Sequence, residues 1–153
     1  MKHRGLFNLQ TPRDLLEKAR HDLGRLRADP LDAYAAFDFF VTVRHLPDWL
    51  HPRNKPEQRA LFDKHVELRI ARHIADGAKH FEATYDQHFQ VEGTSVVAAF
   101  QTIGYGFQRD AFQGETLMIK LDPQDADTVS LGKWKNVLEL AEKVFRVAES
   151  IIP

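Results

Sequence analysis

The chain contains no cysteine. Disulfides, thiolate nucleophiles and cysteine-bound zinc are therefore excluded, and a reducing compartment is the expected setting. An excess of either charge is also missing, with 21 Lys and Arg against 22 Asp and Glu and a formal net charge of -1. No global positive field can then hold an extended nucleic acid, so any such contact has to be local. Long hydrophobic runs are absent too. The opening Met1-Lys2-His3-Arg4-Gly5-Leu6-Phe7 has no apolar core of signal-peptide length, and the most apolar stretch, Ala33 to Leu46, is interrupted by Asp38 and Arg44. Neither secretion nor a membrane span is expected, and the expected location is cytoplasmic.

What is present is globular in composition. The 153 residues are 43% hydrophobic and 28% charged, enough to build one core and one domain spanning residues 1–153. Thr11, Pro12 and Asp14 form a helix-start signal, and Leu15, Leu16, Ala19, Leu23 and Leu26 follow at helical spacing, predicting a surface helix over residues 12–27. Asp29-Pro30-Leu31-Asp32 repeats the signal before a segment that is apolar almost all round, predicting a central helix over 30–46 that Pro47 ends or kinks. After the irregular His51-to-Pro56 connection, helices are expected over 57–66 and 67–81, the second continuous with the first or separated from it by a break. Strands are expected over 95–103, 116–121 and 127–131, the last two paired through the turn Asp122-Pro123-Gln124-Asp125. Trp134, Val137, Leu138, Ala141, Val144, Phe145, Ala148 and Ile152 predict a final helix over 132–151. The fold class is thus α+β and mainly α: a bundle of four to five helices with a small antiparallel hairpin or sheet inserted before the C-terminal helix.

Two places have residues suited to chemistry. In the central helix Asp38, Thr42 and His45 draw a polar line along an apolar rod, which is either its solvent edge or the wall of a cavity. In the 67–81 helix Arg69, Arg72, His73, Asp76 and His80 gather on one side, and Lys64, Arg69, Arg72 and Lys79 outnumber Glu67 and Asp76. A guanidinium beside an imidazole can work on a phosphodiester without metal. Arg stabilises charge developing on the phosphate, and His moves the proton of a 2′-hydroxyl nucleophile or of the leaving oxygen. The other reading of the same residues is a solvated helix face. These two helices are expected to pack together, bringing Asp38, Thr42, His45 and Asp48 towards Arg72, Asp76 and His80.

The eight histidines make a metal site conceivable, with His45, Asp48, His51, His73, His80 and His88 as ligand types. No His-Glu-x-x-His occurs and the spacing matches no ligand pattern, so neither a metal nor a cofactor is expected. Gly104-Tyr105-Gly106-Phe107 lacks the lysine of a phosphate loop and a helix directly after it; a hairpin tip is expected there.

The segments Ala33-Tyr34-Ala35-Ala36-Phe37, Arg44-His45-Leu46-Pro47-Asp48-Trp49 and Arg72-His73-Ile74-Ala75-Asp76-Gly77-Ala78-Lys79-His80-Phe81 resemble a group of uncharacterised bacterial proteins. That group has a W-H-L-x-D-W type motif on one helix and an R-D-I-A-N-G-S-K-H type motif on another, and is similar to the HEPN superfamily. The resemblance covers residues 30–82, with weaker similarity in the hairpin and last helix. It implies a small helical bundle, usually homodimeric, in which an Arg and a His of one helix form a metal-independent ribonuclease site of toxin or phage-defence type. On that reading Arg72 holds phosphate, His80 is the acid/base, and Asp76 or His45 orients it. Lys79, Arg69, His73, Asp48 and Asp38 supply binding contacts, and the partner is RNA or another protein.

The superfamily separates its Arg and His by four to six residues, whereas seven separate Arg72 from His80. On an ideal helix the pair would lie about 80° apart in azimuth and ~12 Å apart along the axis. One phosphate then reaches both only if Gly77 interrupts the helix or two subunits share the site. The competing class is a non-catalytic helical interaction module whose polar cluster is structural, so whether the chain is an enzyme stays open at this point.

Overall fold

The computed structural model describes residues 5–80, 91–103, 106–121 and 134–153; for 78–80, 91–103, 106–116 and 134 it describes the backbone alone. Helix α1 (Pro12–Ala28) starts as its sequence dictates. The Thr11 hydroxyl accepts from the Asp14 amide, and the Asp14 carboxylate accepts from the Thr11 amide, so two amides left over by the first turn are satisfied. Its buried stripe is the expected Leu15, Leu16, Ala19, Leu23 and Leu26.

Helix α2 (Ala33–Arg44) begins later than residue 30, because Asp29 to Asp32 close a turn of their own through the Asp32 amide and the Asp29 carbonyl. Asp32 then caps α2 by accepting from the Ala35 amide at 2.9 Å. At the other end the chain turns at His45 into the short α3 (Leu46–Leu50), where Pro47 sits in the first turn and its missing amide hydrogen costs nothing. Helix α4 (Lys55–Lys64) is capped by Asn54, and His65, in extended backbone, separates it from α5 (Val66–His80). The break decides the question of continuity left open by the sequence. Helix α5 itself runs through Gly77 without interruption.

The strand pairing differs from expectation. β1 (Val91–Ile103) and β2 (Gly106–Leu121) form an antiparallel hairpin paired from Ile103↔Gly106 to Val91↔Leu121, with register shifts between Val91 and Gly93, Ala98 and Phe100, and Phe100 and Thr102. Residues 116–121 are thus the end of a long strand paired with β1. The other face of that end pairs with β3 (Trp134–Asn136), giving sheet order β1-β2-β3. The expected strand 127–131 lies outside the described residues. The first half of β2 was not anticipated because Gly106, Gln108, Arg109, Asp110 and Gly114 are poor strand formers one by one; cross-strand pairing overrides such preferences. Helix α6 (Val137–Ile151) follows β3 directly, with Asn136 as its cap, and therefore starts later than residue 132.

The class is the expected one: α+β, mainly helical, with an antiparallel sheet before the last helix. Helix α2 is the hub, packed against α1, α5 and α6, with Phe39, Phe40 and Val43 fully or almost fully buried. The rings of Phe39 and Phe40 meet edge to face at 5.2 Å, and Phe39 reaches Phe145 of α6 at 6.5 Å. Ile119 and Leu121 of β2 join the same core, which ties the sheet to the bundle. Among the described residues no helix is long and apolar enough to cross a membrane.

On the surface, Arg27 of α1 grips Glu142 of α6 with two hydrogen bonds of 2.6 and 2.7 Å. The Arg27 hydrogen bond holds the Glu142 carboxyl below its ordinary value of 4.5, against the opposing effect of partial burial. A carboxylate whose pKa is lower folded than unfolded adds stability above the unfolded value, and that stability is lost as pH falls through the folded one. Glu142→Gln should therefore melt at a lower temperature than the parent near neutrality, with the gap closing as pH falls from about 5 through the lowered folded value. Melting curves across that range test this; a gap independent of pH would count against it.

Candidate functional site

Helix α5 turns Leu68, Ile70, Ala71 and Ala75 into the core and buries His73, leaving Arg69, Arg72 and Asp76 at the margin of that face. The small Ala71 and Ala75 let α2 come close. The last turn of α2 thereby delivers Arg44 to the same place, a residue that sequence reasoning did not select. Arg44 donates from Nη1 to Asp48 Oδ2 at 3.0 Å, and its Nε lies 3.7 Å from Asp76 Oδ1. His45 Nδ1 sits 3.3 Å from the same Asp48 oxygen. Asp48, His45 and Asp76 are thus united, but through Arg44. Its separation of four residues from Asp48, in an otherwise apolar segment, was the available signal.

The ring of Phe62, from α4, is the floor of this group. The Arg72 guanidinium carbon lies 4.5 Å from its centroid and that of Arg44 lies 5.7 Å away. Cations over an aromatic face are attracted by its quadrupole. Arg69 has a different job: its Nη1 donates to the carbonyls of Phe62 and Asp63 at 3.0 and 2.9 Å, satisfying two acceptors at the end of α4.

Arg72 is the odd member. It is half-buried and makes no hydrogen bond among the described residues, and its Nε, like that of Arg44, is sealed from solvent without a hydrogen-bond partner. Burial pushes its pKa down, the neighbouring Arg44 charge pushes the same way, and Asp76 and Asp63 oppose them. The protein therefore holds a guanidinium where its charge is under-compensated. Functional sites tolerate such costs more often than structural ones do.

Asp38 and Thr42 do not join this group. Asp38 Oδ2 accepts from Arg25 Nη1 of α1 at 2.7 Å. Thr42, only 5% exposed, donates to Asp22 at 3.2 Å and accepts from Lys18 at 3.0 Å. The expectation that both approach Arg72 is corrected. Asp22 is 2% exposed and must be surrounded by donors, so Thr42 is recruited to the α1–α2 seam, where Arg25 also holds Asp38, while His45 turns to Asp48. The polar line of α2 is neither a cavity wall nor simply a solvent edge.

Lys79 and His80 lie in the last turn of α5, and their side chains are outside the described residues. Because α5 is unbroken at Gly77, the backbones of Arg72 and His80 stay ~12 Å apart along one axis. Of the two ways in which one phosphate could meet both, an interrupted helix is removed. Among the described residues no group of three or more His, Asp or Glu could hold a metal ion. What the cluster offers chemically is a site for an anion. No protein-family model matches the chain, and no curated protein or solved structure matches it either.

Proposed function

We propose that this protein is a HEPN-like, metal-independent RNA endonuclease of toxin or phage-defence type, acting as a homodimer in the bacterial cytoplasm. The observation that supports the reading is Arg72, a half-buried guanidinium with no hydrogen-bond acceptor among the described residues and Arg44 beside it. In the proposed reaction Arg72 takes the scissile phosphate and stabilises its developing charge. His80 removes the proton of the 2′-hydroxyl as that oxygen attacks phosphorus, or returns a proton to the departing 5′-oxygen. Asp76, four residues before His80, is spaced to orient the imidazole.

The unbroken α5 gives the dimer a specific role: Arg72 of one subunit works with His80 of the other. Mixing subunits tests this. Arg72→Gln and His80→Ala should each be inactive on structured RNA in the presence of chelator. Reassociated as an equal mixture they should regain about a quarter of parental activity, since half the dimers are mixed and each has one intact site of two. A mixture as inactive as its components would rule out the shared site, and undiminished cleavage by His80→Ala would remove the nuclease reading.

A second reading, a non-catalytic helical module that binds another protein, is favoured by a separate observation. Tyr34 and Phe37 of α2 are 82% and 48% exposed, although Ala35, Ala36, Phe39, Phe40 and Val43 of the same helix lie in the core of the bundle. Under this reading Arg72 is a structural residue, and its replacement should lower stability while no RNA is cleaved by either protein.

A further inference from the structure

We infer that Arg44 and Arg72 together form a two-guanidinium site for a phosphate oxyanion, floored by Phe62, with Asp48 and Asp76 as resident counter-ions that the phosphate displaces or joins. This deepens the proposed function and rests on its reading of Arg72 as an anion-binding group. The two arginines come from different helices, the end of α2 and the middle of α5, and lean on one ring at 5.7 and 4.5 Å. Their relative position is therefore set by helix packing rather than by a loop, as precise anion recognition requires.

The resident carboxylates do not fill the arginine forks. Asp48 takes one hydrogen bond from Arg44, at 3.0 Å, and Asp76 lies 3.7 Å from an Nε that has no hydrogen-bond partner. Neither contact is the parallel two-bond pairing that a guanidinium makes with a well-placed carboxylate or phosphate. Arg72 has not even one such bond among the described residues. Two like charges near one ring in a partly desolvated place repel each other, and the Arg44 charge pushes the Arg72 pKa down in that way. A phosphate between them reverses the sign of the interaction and supplies acceptors for both forks. The shared chemistry is the phosphate oxyanion, borne either by an RNA backbone or by free phosphate.

The buried Nε–H groups of Arg44 and Arg72 provide their own probe by 15N NMR. Titration of the full-length protein with inorganic phosphate at constant ionic strength should move both Nε–Hε resonances along one binding curve. Arg44→Gln should weaken that binding about tenfold. Asp48→Asn, which frees Arg44 of its competitor, should tighten it severalfold. Phosphate that moves neither resonance, or only that of Arg72, overturns the inference, as does equal affinity in Arg44→Gln.

A 2′-O-methyl RNA oligonucleotide, which no 2′-hydroxyl attack can cleave, separates the two sources. If the backbone phosphate is the ligand, Arg44→Gln lowers the slope of log affinity against log salt by about 0.7. If phosphate titrates both resonances while that slope is unchanged, the site stands as one for free phosphate and the RNA reading falls. If RNA is cleaved in chelator but phosphate never touches Arg44, the nuclease reading stands and the two-arginine site falls.

Discussion

Arg72→Gln is expected to reduce RNA cleavage by about 100- to 1,000-fold, the usual cost of removing one group that stabilises charge in a transition state. Its melting temperature should barely change. The substitution forfeits the contact with the Phe62 ring, worth about 0.5–2 kcal/mol for a cation over an aromatic face. It also removes a charge that burial and Arg44 both disfavour, and the two effects offset one another. A structural Arg72 would behave in the opposite way: its loss would leave Asp76 and Asp63 less compensated and lower stability by about 1–3 kcal/mol with no change in any RNA assay. Calorimetry and a cleavage assay on the same preparation separate these outcomes, because a large loss of stability with unchanged cleavage is incompatible with the proposed role.

The largest effect on folding is expected at Phe39. The side chain is fully buried and joins α2 to α6 through its contacts with Phe40 and Phe145. Phe39→Ala removes those contacts and leaves a cavity in the helix that α1, α5 and α6 all pack against, at a cost of about 3–5 kcal/mol. For a chain of this length that corresponds to a fall in melting temperature of roughly 10 °C or more. Denaturant titration should show a lower midpoint with an unchanged slope. A fall of less than about 3 °C would mean that the core has a different centre.

The helical part of the architecture was legible because its signals are local. Thr11 and Asp14 mark the start of α1, Asp32 marks that of α2, and the three- and four-residue steps of Leu15 to Leu26 and of Val137 to Ala148 name the buried faces directly. The sheet was read less well. The pairing of β2 with β1 along its whole length joins residues as far apart as Val91 and Leu121, and no short window of sequence contains that information. The turn chemistry at Asp122-Pro123 instead suggested a neighbour for 116–121 on its C-terminal side. β3 does lie on that side, but at Trp134–Asn136.

The candidate site divides in the same way. Arg72, Asp76, Asp48 and His45 were recognisable as residue types on particular helix faces, and Asp48 and Asp76 do meet, through Arg44. Arg44 itself was not selected as a site residue because an arginine near a helix C-terminus is ordinary in sequence. Thr42 went to α1 because a buried carboxylate, Asp22, needed donors there, and Asp38 because it accepts from Arg25; both demands are written on a different helix.

The sequence by itself determined where α1 begins, which faces of the long helices are apolar, and that no disulfide or cysteine-held metal supports them, since each follows from residue types or from residues within a few turns of one another. The tertiary structure alone decided which polar face meets which. It sent Asp38 and Thr42 to α1, brought Arg44 and Arg72 onto the ring of Phe62, and kept α5 straight through Gly77. The reason is that capping and periodicity act along the chain, whereas burial obliges each charged group to find its partner on whatever surface packing places opposite it.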